Sequence, residues 1–369
     1  MSVFAVVTGG GTAGHVLPAL AVAGALEAAG RTASEIHYVG CTRGIETRLL
    51  PDTPYTHTFF DVVGFQRSLS KRNLGFVPKM LRARRAAIAL LQDLAPKVVV
   101  SVGGYASMPA VFAARKLDIP VVVVSYDRKP GRASQVAARD AAACAVAFDH
   151  SPLPRATVTG APVRQQILRI DRVGDRAAAR ERMAISDDRF LIAVMGGSLG
   201  SGVLNSELAA FVALHAHDAH LAVHQVAGER FVDSITELGD VDNGIIHHVT
   251  GYESDMAAIY AGADLLIGRG GASTVHEVAV TGIPAILVPW SGAADDHQTG
   301  NVEWLSEVGG AVMLTEDELG RLGDEIERLR SDPTALSDLS DAAHLRGDVH
   351  RSGALAGLIE RVAVTSAVR

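Results

Sequence analysis

The 369-residue sequence has few cysteines and lacks long hydrophobic runs. Cys41 and Cys144 are its only cysteines. They form neither a C-x-x-C motif nor a disulfide framework, which suits a reducing cytosol. No apolar run reaches about 18 residues, so no segment is predicted to span a membrane. The N-terminus lacks the basic region and the apolar length of a signal peptide. We therefore expect a cytoplasmic protein that is at most peripheral to a membrane.

An excess of positive charge is also missing. The chain has 34 Lys and Arg against 41 Asp and Glu, a net charge of −7. This balance argues against a general nucleic-acid partner, although a local basic patch is compatible with it. Hydrophobic residues make up 48% of the chain, enough for substantial cores. Because the length exceeds what one core usually organises, two domains are expected.

Short β-branched segments alternate with alanine-rich helical segments, and a charged segment at 171–189 interrupts the alternation. Such alternation predicts parallel sheets. We predict an α/β fold of two Rossmann-like domains, residues 1–162 and 163–345, whose strand ends face each other across a cleft. A helical segment at 346–369 is expected to pack back toward the first domain. The predicted strands are FAVVTGG, IHYVG, KVVVSVGG, IPVVVVS, ATVTG, RFLIAVMGG, HLAVHQVAG, GIIHHVTG, ADLLIGRGG and IPAILVPW.

Four of these strands end in glycine pairs. The sequences are TGGGTAGH (8–15), SVGGYASMP (101–109), VMGGSLGSGVLN (194–205) and IGRGGASTVHE (267–277). Glycine lets the main chain approach a ligand, and the N-terminus of the following helix offers free N–H groups. The two loops in the second half suit a diphosphate or a nucleotide. Tight turns that need glycine only for backbone shape are the alternative.

The first loop also spells a dinucleotide fingerprint, with Gly9, Gly11 and Gly14 between a strand and a helix. Such a site needs an acidic side chain at the carboxyl end of the second strand. Glu35 precedes the strand IHYVG and so lies at its wrong end. The pattern therefore argues against NAD, and no cofactor is predicted.

Glu277 follows Gly271 by six residues, which places it near the second turn of a helix beginning about Ser273. An exposed carboxylate at this position can accept both hydroxyls of a ribose. An ordinary solvent-facing glutamate is the alternative.

Two short segments have the residue types of metal ligands, LHAHDAHLAVH (214–224) and the Asp-Asp-His at 295–297. The histidines run from a helix into a strand, and no matching ligand set stands elsewhere. Adjacent residues in a loop converge poorly on one ion. We therefore expect solvated histidines at the helix–strand corner of 214–224 and no metal site at either segment.

Residues 62–92 form a basic stretch inside an acidic protein. It contains seven cations and no acid, interleaved with apolar residues. This composition is typical of a surface that lies on anionic lipid, and a basic helix with one core face explains it nearly as well. The cations are Arg67, Lys71, Arg72, Lys79, Arg82, Arg84 and Arg85.

Six motifs, in their order and spacing, resemble the MurG family of N-acetylglucosaminyltransferases, which complete the lipid-linked peptidoglycan precursor. They are GGGTAGHVLPALAVA, GGYASMPA, GAPVR, GGSLGSGVLN, GRGGASTVHEVAVTGIPAILVPW and DHQTGN. The resemblance implies a GT-B fold with an N-terminal acceptor domain and a C-terminal UDP-sugar domain. It further implies inverting, metal-independent transfer from UDP-N-acetylglucosamine to a polyprenyl-linked muramoyl-pentapeptide, at the inner face of the cell membrane.

The resemblance also implies roles for individual residues. His15 matches a histidine that acts on the acceptor hydroxyl. Arg164 and Ser198 match groups at the donor diphosphate, Glu277 matches the ribose carboxylate, and Gln298 and Asn301 match polar residues that contact the sugar. A polar loop is the alternative for the last two. The further donor-binding residues are Thr12, Gly14, Gly197, Gly271, Ala272 and Thr274, and the acceptor-binding residues are Gly104, Tyr105, Asp127 and Arg128.

One segment departs from the family pattern. After the strand IPVVVV the family usually carries a His-Glu-Gln/Ala-Asn box, whereas this chain has Ser125-Tyr126-Asp127-Arg128. A related transferase with another lipid or small-molecule acceptor is therefore an alternative. A UDP-N-acetylglucosamine 2-epimerase, which shares the two-domain form, and a nucleotide-sugar-binding protein without activity are two more.

Overall fold

The computed structural model describes residues 3–63, 76–197, 200–293 and 296–365. The chain divides into two compact units. The first unit comprises Met1–Gln165 and Val349–Arg369, and the second comprises Gln166–Asp348.

The first unit is built on a parallel seven-stranded sheet in the order β3-β2-β1-β4-β5-β6-β7. Its inner strands are buried apolar runs, as expected where helices cover both faces of a sheet. The strands are β1 Ala5–Thr8, β2 Ile36–Cys41, β3 Thr56–Phe60, β4 Val98–Ser101, β5 Val121–Ser125, β6 Ala143–Val146 and β7 Ala156–Val158.

Helices connect these strands. Small apolar residues, mainly Ala and Val, form the core between sheet and helices. The helices are α1 Ala13–Ala28, α2 Glu46–Leu49, α3 Phe76–Leu94, α4 Met108–Lys116, α5 Arg132–Ala138 and, at the division between the units, α6 Gln165–Leu168.

The second unit contains another seven-stranded sheet, in the order β10-β11-β9-β8-β12-β13-β14. All neighbouring strands are parallel except β10 and β11, which are antiparallel. The strands are β8 Phe190–Met195, β9 Leu221–Val226, β10 Gly239–Asp240, β11 Ile246–Thr250, β12 Leu265–Arg269, β13 Ala285–Val288 and β14 Val312–Met313.

The remaining helices belong mainly to the second unit. They are α7 Arg176–Arg182, α8 Gly202–Leu214, α9 Met256–Gly262, α10 Ala272–Thr281, α11 His297–Ser306, α12 Leu322–Ser331, α13 Pro333–Arg346, α14 Asp348–Arg351 and α15 Ala354–Thr365. The last of these, α15, packs on α1, β4 and β6 of the first unit. None of the helices in the described residues is long and apolar enough to cross a membrane.

Each sheet reverses its strand order at one point, between β1 and β4 in the first unit and between β8 and β12 in the second. The parallel strands of both sheets follow the Rossmann order, so the prediction of two Rossmann-like domains is confirmed. Ligands bind such sheets at the carboxyl ends of the strands that flank the reversal. The four glycine loops follow these four strands.

Candidate functional site

The first glycine loop of the first unit joins β1 to α1, and His15 lies in the first turn of this helix. Gly11 has a φ of +96°, and a Cβ there would lie 2.9 Å from the Tyr105 ring, so only glycine fits without strain. Thr12 is the N-cap of α1, and its Oγ1 lies 3.1 Å from His15 Nδ1. The loop therefore presents a hydroxyl and an imidazole that orient each other.

The glycine pair after β4 lies against the His15 ring. Gly103 and Gly104 both have positive φ, and Cβ atoms there would lie 3.3 and 3.4 Å from carbons of the imidazole. Tyr105 follows in a 3₁₀ turn, and its hydroxyl lies 3.7 Å from Cys41 Sγ. The two glycine loops of this unit thus meet at one histidine.

The pKa of His15 reflects two opposing influences. Burial lowers the pKa from its ordinary value of 6.5, while the carboxylates of Asp127 and Glu46 raise it. Since burial is the larger influence, the imidazole is neutral at pH 7 and can accept a proton.

Residues 125–128 begin with the last residue of β5, Ser125, and continue into the loop after it. The Tyr126 side chain is buried, and its hydroxyl donates a short hydrogen bond to the Gly14 carbonyl in α1. Asp127 is half-buried and Arg128 is exposed. Tyr126 therefore secures the helix that carries His15, a role that the sequence analysis missed.

In the second unit, the loop after β8 leads into α8. Gly197 is exposed with a φ of +79°. Ser201 is the N-cap of α8, and its Oγ accepts a hydrogen bond from Leu204 N at 3.4 Å. Ser198, which the sequence analysis assigned to the diphosphate, lies outside the described residues.

Arg269 connects the loops of the second unit, and the sequence analysis did not select it. Its guanidinium lies at the end of β12, and the residue is 8% exposed. It donates to Ser201 Oγ at 2.8 Å and pairs with Glu316 at 2.7 Å. It also donates to the carbonyls of Val288 and Pro289, both at 3.4 Å. The signal in the sequence is a cation at the end of the apolar strand LLIGR.

The N-terminus of α10 holds the predicted nucleotide-binding group. Gly271 is the N-cap, Ala272 begins the helix, and Thr274 lies in its first turn. Glu277 is only 7% exposed, and its Oε2 accepts a 2.8 Å hydrogen bond from the Tyr260 hydroxyl. The expectation of a solvent-exposed carboxylate is therefore wrong, because α9 supplies a buried tyrosine beside it.

Gln298 and Asn301 lie in α11, so the alternative of a polar loop is wrong. Gln298 Oε1 accepts from Trp290 N at 3.0 Å. Asn301 is 0% exposed, and its amide donates to the Gly270 carbonyl at 3.4 Å. These contacts tie α11 to the loops after β12 and β13. Contact with a sugar stays a prediction for both residues.

Arg164 lies in the first unit, directly before the division at Gln165. It is partly exposed. Its predicted contact with the donor diphosphate stays a prediction.

The two segments that contain residue types of metal ligands form no metal site in the described residues. Among the described residues no group of three or more His, Cys, Asp or Glu side chains is placed to hold a metal ion. His217 is exposed, as expected. The expectation is wrong for His224, because its side chain is only 12% exposed and pairs with Glu253 at 3.2 Å. Asp295 lies outside the described residues.

The described part of the basic stretch is mainly α3. Arg82 and Arg85 are exposed, and the neighbouring Leu81 is 51% exposed. A groove of about 490 Å³ between α3 and α4 is lined by Met80, Leu81, Arg84, Phe112, Arg115 and Lys116. Lys79 pairs with Asp61 at 2.8 Å. Arg67, Lys71 and Arg72 lie outside the described residues.

Comparison with known proteins agrees with this architecture. The N-terminal domain model of glycosyltransferase family 28 matches residues 5–146, and the C-terminal domain model matches residues 191–351. A solved Acinetobacter baumannii MurG structure has a TM-score of 0.72 at 26% identity, covering 98% of this chain and 100% of that chain. A glycosyltransferase from Rickettsia africae, 13% identical with a TM-score of 0.62, covers 98% of both chains and shares the fold.

Fold and matched domains together define a two-domain glycosyltransferase of the GT-B class. Curated relatives are named UDP-N-acetylglucosamine–N-acetylmuramyl-(pentapeptide) pyrophosphoryl-undecaprenol N-acetylglucosamine transferase. The one from Clavibacter sepedonicus is 34% identical over 97% of this chain and 96% of its own length. The one from Xylella fastidiosa is 36% identical over 90% and 89%, respectively. The chain belongs to this family, the MurG family.

Proposed function

We propose that this protein is an inverting transferase that moves N-acetylglucosamine from UDP-N-acetylglucosamine to a polyprenyl-linked muramoyl-pentapeptide. The observation that most supports this is His15, a neutral base set between two glycine loops in a chain whose relatives are named for that reaction. In this proposal the first domain, 1–162, holds the acceptor and the second, 163–345, holds the donor.

The donor half uses the helix N-termini of the second unit. The free N–H groups of α8 and α10 carry partial positive charge and bind the diphosphate, with Gly197, Ser198, Ala272 and Thr274 around it. Glu277 accepts from the ribose hydroxyls, and Gln298 and Asn301 lie toward the sugar. Arg164 neutralises charge on the leaving diphosphate, which makes the step metal-independent.

The acceptor half uses His15 as general base. A proton on Nδ1 is donated to Thr12 Oγ1, which leaves the Nε2 lone pair to take the proton of the acceptor hydroxyl. The acceptor oxygen bonds to C1 of the sugar opposite the diphosphate. The bond from C1 to the diphosphate oxygen breaks, UDP leaves with the electron pair, and the configuration at C1 inverts.

The altered segment 125–128 favours a second candidate, transfer from the same donor to a different acceptor. Tyr126 is buried against α1, which leaves Asp127 and Arg128 as the polar groups that this segment offers an acceptor. Arg128 is a bidentate donor suited to a phosphate or a carboxylate. Both candidates therefore involve an anionic acceptor, and they differ in the sugar that carries the hydroxyl.

The basic stretch 62–92 is proposed to rest on anionic lipid at the inner face of the cell membrane. The exposed Arg82 and Arg85 follow the exposed Leu81 by one and four residues in the helix, so the α3 surface offers cations and an apolar side chain together. Each cation near an anionic bilayer contributes about 1 kcal/mol. Such contact would bring a polyprenyl-linked acceptor to the first domain.

The proposal is tested by incubating the protein with labelled UDP-N-acetylglucosamine in parallel reactions. One contains polyprenyl-linked muramoyl-pentapeptide, a second contains polyprenyl-linked and soluble anionic sugars, and a third contains no acceptor. Label in the first acceptor supports the proposal. Label only in the second set supports the alternative acceptor. Epimerised UDP-sugar in the third reaction, or no product in any, contradicts transfer.

A further inference from the structure

Glu46 is a buried carboxylate to which neither the sequence analysis nor the proposed reaction assigns a part. It is the first residue of α2, which follows β2 after a short turn, and it is 0% exposed. Among the described residues, Glu46 and Glu277 are the only buried acidic side chains. Burial of a carboxylate is costly unless the carboxylate is hydrogen-bonded. The hydrogen-bond partners of Glu46 therefore indicate its role.

The partners of Glu46 are backbone N–H groups of the glycine loop and of β2. Gly11 N lies 3.1 Å from both carboxylate oxygens, and Cys41 N donates to Oε1 at 2.8 Å. In the described part of the chain Glu46 forms no ion pair with a Lys, Arg or His side chain. Its negative charge is therefore held by hydrogen bonds alone, beneath the loop that carries Thr12 and His15.

Three glycines, Gly10, Gly40 and Gly44, surround the Glu46 side chain. A Cβ at Gly10 or Gly44 would overlap the carboxylate, and one at Gly40 would lie 2.8 Å from Glu46 Cγ. Two of these positions lie outside the glycine loop that the motif describes. The glycines of residues 40–44 are explained by the Glu46 side chain rather than by a ligand.

The charge of Glu46 also reaches His15. Glu46 and Asp127 are the two groups that raise the His15 pKa against the effect of burial. Asp127 exerts this effect from the loop after β5, and Glu46 exerts it from the start of α2. Further titratable groups around this loop are the hydroxyls of Tyr38, Tyr105 and Tyr126 and the thiol of Cys41. Tyr38 donates to the Gly9 carbonyl and Tyr126 to the Gly14 carbonyl. Burial raises the pKa of all four groups. The exposed Arg128 follows Asp127 on the same segment.

We propose that Glu46 is a positioning residue for the transfer reaction: its buried carboxylate fixes the main chain of residues 9–12, and its charge stabilises the imidazolium formed when His15 takes the acceptor proton. The chemical role rests on the proposed function. The loop geometry and the electrostatic coupling do not, so both can be measured without substrate.

The test compares wild type with Glu46→Gln and with the control Asp52→Asn, which removes an exposed carboxylate of the same unit. Imidazole NMR follows the titration of His15, assigned with His15→Gln. We expect the His15 pKa to fall in Glu46→Gln and to stay unchanged in Asp52→Asn. We also expect kcat to fall about 10- to 100-fold, as for misplaced catalytic groups, with UDP affinity unchanged. An unchanged His15 titration in folded Glu46→Gln overturns the proposal, whatever the reaction is.

Glu46→Asp is the second test variant, which is used if Glu46→Gln does not fold. It keeps the charge and shortens the side chain by one methylene, so it cannot reach both Gly11 N and Cys41 N. We expect a His15 pKa near that of wild type together with a reduced kcat. Wild-type kcat in Glu46→Asp would overturn the positioning role.

Discussion

The Tyr260 hydroxyl donates a 2.8 Å hydrogen bond to Glu277 Oε2 inside the second unit. This bond fixes the carboxylate at the second turn of α10, where the proposed nucleotide site lies. A hydrogen bond to a charged group contributes about 1.5 to 3 kcal/mol, which is large enough to measure. Substitution of Glu277 removes the carboxylate, whereas substitution of Tyr260 removes only the bond that positions it.

We predict that Glu277→Ala weakens UDP binding by about 2 kcal/mol, since the ribose hydroxyls lose a charged acceptor. Tyr260→Phe should weaken UDP binding less, because the Glu277 carboxylate remains and loses only the hydrogen bond that orients it. Isothermal calorimetry with UDP measures both. The control is Glu181→Gln, an exposed carboxylate in α7. Unchanged UDP affinity in folded Glu277→Ala would remove Glu277 from the site.

His15→Gln should slow transfer by about 100-fold or more and leave UDP affinity nearly intact, as expected for loss of a general base. In wild type, kcat/KM should fall as the pH is lowered through the His15 pKa, because a protonated imidazole cannot take the acceptor proton. Since burial lowers that pKa, the midpoint of the acid limb should lie below 6.5. His217→Gln, an exposed histidine, is the control. A variant at position 15 with near-normal turnover would assign the base to another group.

Arg269→Met should destabilise the second unit by about 3 kcal/mol, the cost of breaking a buried ion pair from one side. The guanidinium joins Ser201, Glu316 and the end of β13, so UDP affinity should fall as well. Urea unfolding followed by tryptophan fluorescence reports this unit, because both tryptophans, Trp290 and Trp304, lie in it. The exposed pair of Arg321 and Glu318 provides the control, Arg321→Met, with a change of about 1 kcal/mol or less. Equal effects of the two substitutions would contradict a special role for Arg269.

The triple substitution of Arg82, Arg84 and Arg85 by Gln should reduce binding to anionic vesicles. Wild-type binding should weaken at high salt, because the attraction is screened. Sedimentation with phosphatidylglycerol-containing vesicles measures both effects. The control replaces three cations of the second unit, Arg182, Arg321 and Arg328, and changes the net charge equally. Equal pelleting of wild type and the α3 variant would favour a solvated helix without a membrane role.

The stability of the first unit should fall between pH 6.5 and pH 4. His37 is buried, with ring nitrogens 2.8 and 2.9 Å from the hydroxyls of Thr56 and Thr58. Burial and the neighbouring His57 lower its pKa from 6.5 to about 4. The unfolded chain therefore binds more protons over this interval, and about 3 kcal/mol is lost as the pH falls. Calorimetric unfolding of wild type and His37→Gln at pH 7 and pH 4.5 checks this; the same loss in both proteins would contradict it.

The strands were predictable where they are short, mostly apolar or β-branched runs, and all ten predicted segments contain strands. The missed strands have other patterns. In β3, THTFF is largely polar and only partly buried at the sheet edge. In β6, ACAV is alanine-rich and continues a helix-like composition. The two-residue strands β10 and β14 are too short to give a pattern.

The arrangement of the candidate site was predictable where one segment contains its own pattern, as for Thr12, His15 and the glycines around them, and their roles stay predictions. Partners distant in sequence were not. Glu46 lies 35 residues from Gly11, and Arg269 lies 68 from Ser201. Only the sheet order brings such pairs together, because strands adjacent in the sheet are separated by helices in the chain. Burial of Glu277 depends in the same way on Tyr260 from another helix.

The most direct test of the account is the structure of the reaction product. Purified protein is incubated with UDP-N-acetylglucosamine labelled at C1 and with polyprenyl-linked muramoyl-pentapeptide, and the lipid fraction is analysed by mass spectrometry and by NMR of the anomeric centre. The account predicts a disaccharide in which the new linkage has the configuration opposite to that in the donor. It also predicts loss of that product with His15→Gln but not with His217→Gln. A lipid fraction without the added sugar, or a product that retains the donor configuration, would contradict it.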